Sequence, residues 1–205
     1  MLDTPTVRAF IAHVQTTLSA APPVQAVEAI RPAFAALLAD PHWLPHAFQR
    51  PAEQSGMGGG IATWLIYRSP AGDLSLFSLV VPAGVATPIH DHLAWGLVGL
   101  YAGEQDEEVF AHRHESDHEH ESSLRCTARN QLRPGDFYVL LPPTDDIHRV
   151  RTTSSTPSVS LHLLGNDTGC VWRHTYTAET GAAQAFRSGW SNVPCRDTQD
   201  VAQEA

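Results

Sequence analysis

The chain has 205 residues, a formal net charge of −9, 42% hydrophobic residues, and 15 prolines alongside 14 glycines. That length suits one domain with a well-buried core, and the proline and glycine content favours many short elements over a bundle of long helices. The negative charge argues against a nucleic-acid partner, since affinity for phosphate is largely cationic. No apolar run approaches the roughly 20 residues of a membrane helix, and Met1–Phe10 lacks a basic-then-apolar secretory pattern. The expectation is a cytoplasmic protein, monomeric or a small homo-oligomer, with neither nucleic acid nor membrane as partner. Cys126, Cys170 and Cys195 are odd in number, far apart and without a CxxC pair, so they are expected to be reduced thiols.

Residues 4–21 read as a helix, with Thr4 as N-cap, Pro5 at the first helical position, and Val7, Phe10, Ile11, Val14 and Leu18 at helical spacing. A second helix is expected from Pro23 to about Ala39, burying Val27, Ile30, Phe34, Leu37 and Leu38, and Asp40-Pro41 stops it. Residues 41–60 are irregular and end in a Gly58-Gly59-Gly60 turn. From Ile61 the texture changes to short β-prone runs: Ala62–Tyr67, Leu74–Val81, Trp95–Tyr101, Phe137–Leu141, His148–Thr152 and Val159–Leu164. Turn signals such as Pro82-Ala83-Gly84 and Arg133-Pro134-Gly135-Asp136 separate them. Such punctuation predicts a sandwich or barrel behind a helical cover. Glu104–Ser123 is charged and histidine-rich and reads as a long hairpin connection. The polar tail, Arg196–Ala205, is expected to be disordered.

The chemistry is concentrated around Gly84-Val-Ala-Thr-Pro-Ile-His90-Asp-His92. Residues two apart on a strand share a face, so His90 and His92 can aim at one ion while Asp91 points away. A third donor must come from elsewhere, and Gly135 through Pro142-Pro143 to His148 supplies one at the start of a later strand. A glycine followed by H-x-H, then G…P…H, is the two-part pattern of the cupins. It implies a mainly β fold, a double-stranded β-helix or jelly-roll barrel, with an N-terminal α-helical cover. The boundaries expected are one cupin domain over residues 1–195, with cover 1–55 and barrel 56–195. Gly96 stands where many cupins carry a glutamate ligand, leaving a three-histidine site with open positions. Three neutral imidazoles would leave the ion's charge uncompensated and favour an anionic donor such as a thiolate. Imidazole ligation by itself suits iron, nickel, copper or zinc. On strand spacing, Ser160, His162 and Leu164 share a face, which could make Ser160 and His162 a hydrogen-bonded pair behind the metal.

His90-Asp91-His92, Trp95-Gly96-Leu97, Gly135-Asp136, Ile147-His148-Arg149-Val150, Ser160-Leu161-His162 and the late Phe186–Asn192 segment resemble the cysteine dioxygenase family. The closer likeness is to its bacterial branch, which includes 3-mercaptopropionate dioxygenases. The resemblance spans roughly residues 61–192. It implies one iron(II) per chain on His90, His92 and His148, and oxidation of a small thiol to its sulfinate with O2. It also implies that Ser160 and His162 are the first two members of an outer-sphere Ser-His-Tyr triad. Gly96 sits where animal members have the cysteine of a Cys-Tyr crosslink and bacterial members often have glycine. The sequence departs from the family at two positions: Leu164 takes the tyrosine's place, and Thr63 falls where an arginine or glutamine would hold the substrate carboxylate. Thr63, Tyr67, Gly96 and Leu164 are therefore the expected pocket residues. Arg68 should face the opposite way, and Arg173 is a possible substitute. Alternative functions are a cupin using another metal or a non-thiol substrate, and a non-catalytic cupin that binds a small ligand. His112, His114, His118 and His120 alternate with acidic residues in a stretch that reads as solvated, fitting adventitious metal better than a second site.

Overall fold

The computed structural model describes residues 1–53, 56–112 and 124–195; the expectations for the tail after Cys195 and for His114, His118 and His120 lie outside them. Two helices open the chain, α1 (Pro5–Ala20) and α2 (Pro23–Ala39). Thr4 Oγ1 accepts from Val7 N at 3.3 Å and caps α1, with Pro5 at its first turn. Eleven strands follow among the described residues: β1 (Ala62–Arg68), β2 (Ser75–Val81), β3 (Ile89–His90), β4 (Gly96–Ala102), β5 (Gln105–His112), β6 (Leu124–Leu132), β7 (Phe137–Leu140), β8 (Ile147–Thr152), β9 (Ser158–Leu164), β10 (Arg173–Tyr176) and β11 (Ala183–Phe186).

They form two antiparallel sheets, ordered β1-β2-β9-β4-β7 and β11-β10-β3-β8-β5-β6. Strand alternation sorts the first sheet's side chains into two cores. Leu76, Val80, Leu97, Leu161 and Leu163 face outward and bury Phe10, Val14, Ile30, Phe34 and Leu38 of the helices. Leu65, Phe77, Leu79, Val98 and Leu164 face inward and meet Val150 of the second sheet. The result is mainly β: a double-stranded β-helix with a two-helix cover on one sheet.

Three expectations need correction. Residues 105–112 are a strand rather than a connection. Gln105, Glu107 and Val109 turn inward, while Glu108 turns out to Arg129 and Arg149, so the acidic residues mask a period of two. The pairing of β1 with β2 slips between Leu65 and Tyr67. This bulge breaks the alternation: Leu65 enters the barrel, but Tyr67 packs with the helical layer and its hydroxyl accepts from Gln15 Nε2 at 3.1 Å. Tyr67 therefore does not line the barrel interior. Finally, Cys170 and Cys195 are disulfide-bonded, with Cα atoms 5.4 Å apart, and Cys126 alone is free. Separation along the chain concealed this pairing because the closing segment folds back along β1, where Ser191 N donates to Thr63 O.

The bridge is directly testable. Alkylation of denatured, unreduced protein should modify Cys126 only, and Cys195→Ser should lower unfolding free energy by about 3 kcal/mol. Modification of all three thiols without reductant would rule the bridge out.

Candidate metal centre

His90 and His148 are direct cross-strand partners in the β3–β8 pairing, and His92 follows just beyond the end of β3. Their ring centroids lie 4.8–5.0 Å apart, and their candidate ligand nitrogens all fall within 4.8 Å of one another. Each Nδ1 faces an acceptor: Pro88 O at 2.9 Å for His90, Asp146 Oδ1 at 3.2 Å for His92, and Glu107 Oε1 at 2.8 Å for His148. Those contacts place the ring proton on Nδ1 and leave Nε2 as the donor atom. Burial, followed by the neighbouring positive groups, holds His90 well below its ordinary pKa. Burial likewise brings His92 down to about 4. Neutral imidazoles are the form a metal requires. His148 Nε2 is buried without a hydrogen-bond partner. An unsatisfied buried polar atom is costly, and a metal ion would satisfy it, so the donor set fits one divalent cation.

Two carboxylates stand behind the ring of donors. Asp146 accepts from the backbone N–H groups of His92 and Leu93, each at 3.0 Å, as well as from the His92 ring. It thereby pins a turn in which Leu93 adopts φ 55°. Glu107 also accepts from Asn130 Nδ2 at 2.9 Å. Burial would raise both carboxyls, but the hydrogen bonds and charge of His148 lower Glu107, and those of His92 lower Asp146. The expectation of an uncompensated ion is corrected: two anions sit one imidazole away. The acidic run hid Glu107, and Asp146 is legible only as the residue two before His148.

The other expected residues divide. Ser160 Oγ lies 3.0 Å from His162 Nε2, and the His162 ring stacks on Phe77 at 4.7 Å, with its Nδ1 buried and unpartnered. Burial, followed by the charges of His92, His148 and Arg173, depresses the His162 pKa. Leu164 fills the interior opposite Gly96, its cross-strand partner. A Cβ at Gly96 would fall 2.3 Å from both Leu163 O and Leu164 Cδ2. Glycine is thus required by the close β4–β9 approach, and the same space excludes a cysteine. Thr63 is near but spent: its hydroxyl donates to Gly189 O at 2.9 Å. Arg68 pairs with Asp167 at 3.0 Å.

Arg173 is only 3% exposed. It donates through Nη1 to Asp91 O at 2.8 Å and through Nη2 to Ser188 Oγ at 3.2 Å, and lies 4.4 Å from the Phe186 ring centroid. Its Nε has no partner among the described residues. Burial lowers its pKa to about 10 against the pull of Asp91 and Asp146, leaving it cationic at neutral pH. β10 pairs with β3 at Thr175 and His90, and Phe186, on which Arg173 packs, has its ring centroid 6.5 Å from that of His90, so Arg173 stands close to the three histidines.

Three histidines converging inside a double-stranded β-helix define a cupin with a candidate metal centre. The chain belongs to the cysteine dioxygenase type I family, whose model matches residues 58–167, more than half of the chain. Solved structures similar to it include a protein with a double-stranded β-helix domain from Klebsiella pneumoniae subsp. pneumoniae MGH 78578. That match has 10% identity, covers 70% of this chain and 94% of the other, and has a TM-score of 0.44. The cupin domain of an XRE family transcriptional regulator from Enterobacter cloacae matches at 15% identity, 51% and 94% coverage, and TM-score 0.37. A cupin 2 conserved barrel domain protein from Salinispora arenicola CNS-205 matches at 16% identity, 60% and 85% coverage, and TM-score 0.40. At such scores, the fold rests on the strand order itself. Among the described residues, no helix is long and apolar enough to cross a membrane.

Acid should destabilise the metal-free protein. His90, His92 and His162 have folded pKa values below the ordinary 6.5, so they stay neutral when folded while the unfolded chain takes up protons. Their contribution is present above pH 6.5 and is lost as pH falls towards the folded value, about 4 for His92. Urea midpoints of metal-free protein should therefore fall across that window, and a flat profile would contradict neutral burial.

Proposed function

We propose that the protein is a thiol dioxygenase that oxidises a small mercaptocarboxylate to its sulfinate with O2, using one iron(II) per chain held by His90, His92 and His148. The observation that carries this reading is the buried Arg173 guanidinium, its Nε without a partner among the described residues, on the strand that pairs with the His90 strand. Family membership supplies the reaction class. Arg173 supplies what Thr63 cannot, a charge-assisted partner for a carboxylate.

Iron(II), when bound, lowers the thiol pKa and activates O2. The protein's own groups do the rest. Arg173 holds the carboxylate end of the substrate, and its bonds to Asp91 O and Ser188 Oγ fix the guanidinium before substrate arrives. Phe186 and Trp190 exclude water on that side, with Trp190 packed edge-on against Phe77. His162, kept neutral and oriented by Ser160, presents Nδ1 as a hydrogen-bonding group in an otherwise apolar wall. Leu164 puts an apolar side chain where the family's tyrosine would place a phenol.

O2 consumption by anaerobically iron-loaded protein tests this, with sulfinate followed by mass spectrometry. 3-Mercaptopropionate, mercaptosuccinate and cysteine should support uptake, while cysteamine, which lacks a carboxylate, should not. Arg173→Gln should raise KM for the acids by roughly 10- to 100-fold, the loss expected for a charged hydrogen-bonding partner. His148→Ala should abolish iron retention. Equal turnover of cysteamine would remove Arg173 from substrate recognition. No uptake with any thiol, despite bound iron, would shift the reading to another cupin chemistry.

A further inference from the structure

The three candidate ligands are not backed alike. His90 Nδ1 meets a neutral carbonyl, whereas His148 Nδ1 meets a carboxylate that is itself part of a cluster. Glu107 is 2% exposed. Its Oε1 lies 2.8 Å from His148 Nδ1, and its Oε2 accepts from Asn130 Nδ2 at 2.9 Å. Tyr138 Oη lies 3.2 Å from the same Nδ1. The neutral ring has a single Nδ1 proton, so the phenol oxygen competes for it with Glu107, the closer acceptor. The carboxylate accepts from both His148 and Asn130, as an ionised group does. Glu107 comes from β5, Asn130 from β6, Tyr138 from β7 and His148 from β8, so four strands converge on one cluster.

We infer that Glu107 is a positioning residue for the metal centre: it fixes the His148 tautomer with Nε2 towards the ion and enriches that nitrogen's donor strength, while Tyr138 restrains the effect by competing for the same Nδ1 proton. A stronger donor favours the more highly charged oxidation state, so the Glu107–Tyr138 balance sets the metal's reduction potential. This rests on the metal-binding part of the proposed function and not on the identity of the thiol.

The two partners pull in opposite directions, and that gives the test. Glu107→Gln keeps an acceptor for His148 and removes the charge; the Asn130 amide can turn over to receive the new NH2 group. Zinc(II) affinity, measured by competition with a chromophoric chelator, should fall 10- to 100-fold. The Fe(III)/Fe(II) potential, measured by spectroelectrochemistry, should rise. Tyr138→Phe removes the competing acceptor and leaves the His148 Nδ1 proton to Glu107, so the potential should fall. Each tenfold change in Fe(III) affinity relative to Fe(II) reads as about 59 mV. A merely structural role would shift both variants the same way, with matching losses in metal-free melting temperature. Same-sign potential shifts, or zinc affinity in Glu107→Gln within twofold of the wild type, would overturn the inference. A wild-type protein that takes up no stoichiometric metal would overturn it too, and would be told apart because the three-histidine reading would fall first.

Discussion

The site depends on a side chain that cannot reach the metal. Asp91, between the two histidines of H-x-H, points away from the ion because strand geometry alternates. Its carboxylate accepts from His174 N, His174 Nδ1 and Tyr176 Oη, each at 2.8 Å, while its backbone oxygen accepts from Arg173. One residue thus fastens β3, with its histidine, to β10, with Arg173. A β3 of two residues has few ladder bonds of its own. Held by β8 on one edge and by β10 with Asp91 on the other, it still sets the two histidines and the guanidinium against one interior space.

That arrangement orders charge across the centre. Glu107 and Asp146 lie behind His148 and His92, Arg173 is on the strand that pairs with β3, and burial keeps His162 neutral. Buried charge is costly unless paired and hydrogen-bonded; the two carboxylates meet that condition on the imidazoles, whereas Arg173 has hydrogen bonds to Asp91 O and Ser188 Oγ and no ion pair among the described residues. The anions stand where they strengthen the donors, and the cation keeps free hydrogen-bonding capacity. Under the proposed function, a carboxylate beside a thiolate would crowd negative charge at the centre, and Arg173 would offset it.

How much of this was legible follows from the range of each interaction. H-x-H, the G…P…H segment and Ser160/His162 are local patterns with a period of two, and the structure brings those residues together as that period implies. The helices were legible for the same reason, with caps and spacing written in a few neighbouring residues. Glu107 was hidden because inward and outward acids alternate in one run, and only pairing with β8 reveals which face matters. Tyr67 failed because a bulge is a property of two strands, invisible in one. The disulfide failed for a kindred reason, since chain separation says nothing about a segment that folds back.

The residues from Cys170 to Cys195 deserve one further step, because the bridge encloses Arg173, Phe186, Ser188 and Trp190 in a single loop. The family match ends at residue 167. The metal donors, with Ser160 and His162, therefore lie within the shared span, whereas the guanidinium and the aromatic walls lie beyond it. Thr63, the matched position, gives its hydroxyl to Gly189 and its N–H to Ser191, anchoring the loop rather than the substrate. The loop in turn carries the arginine that Thr63 is not. Under the proposed function, recognition rests on this covalently closed segment rather than on the β1 edge of the barrel. The steric fit of Leu164 against Gly96 leaves no room for a phenol–thiol crosslink on β4 and β9. Binding would then fall to Arg173 and ordering to His162, groups that stand on different sheets and can be separated by mutation.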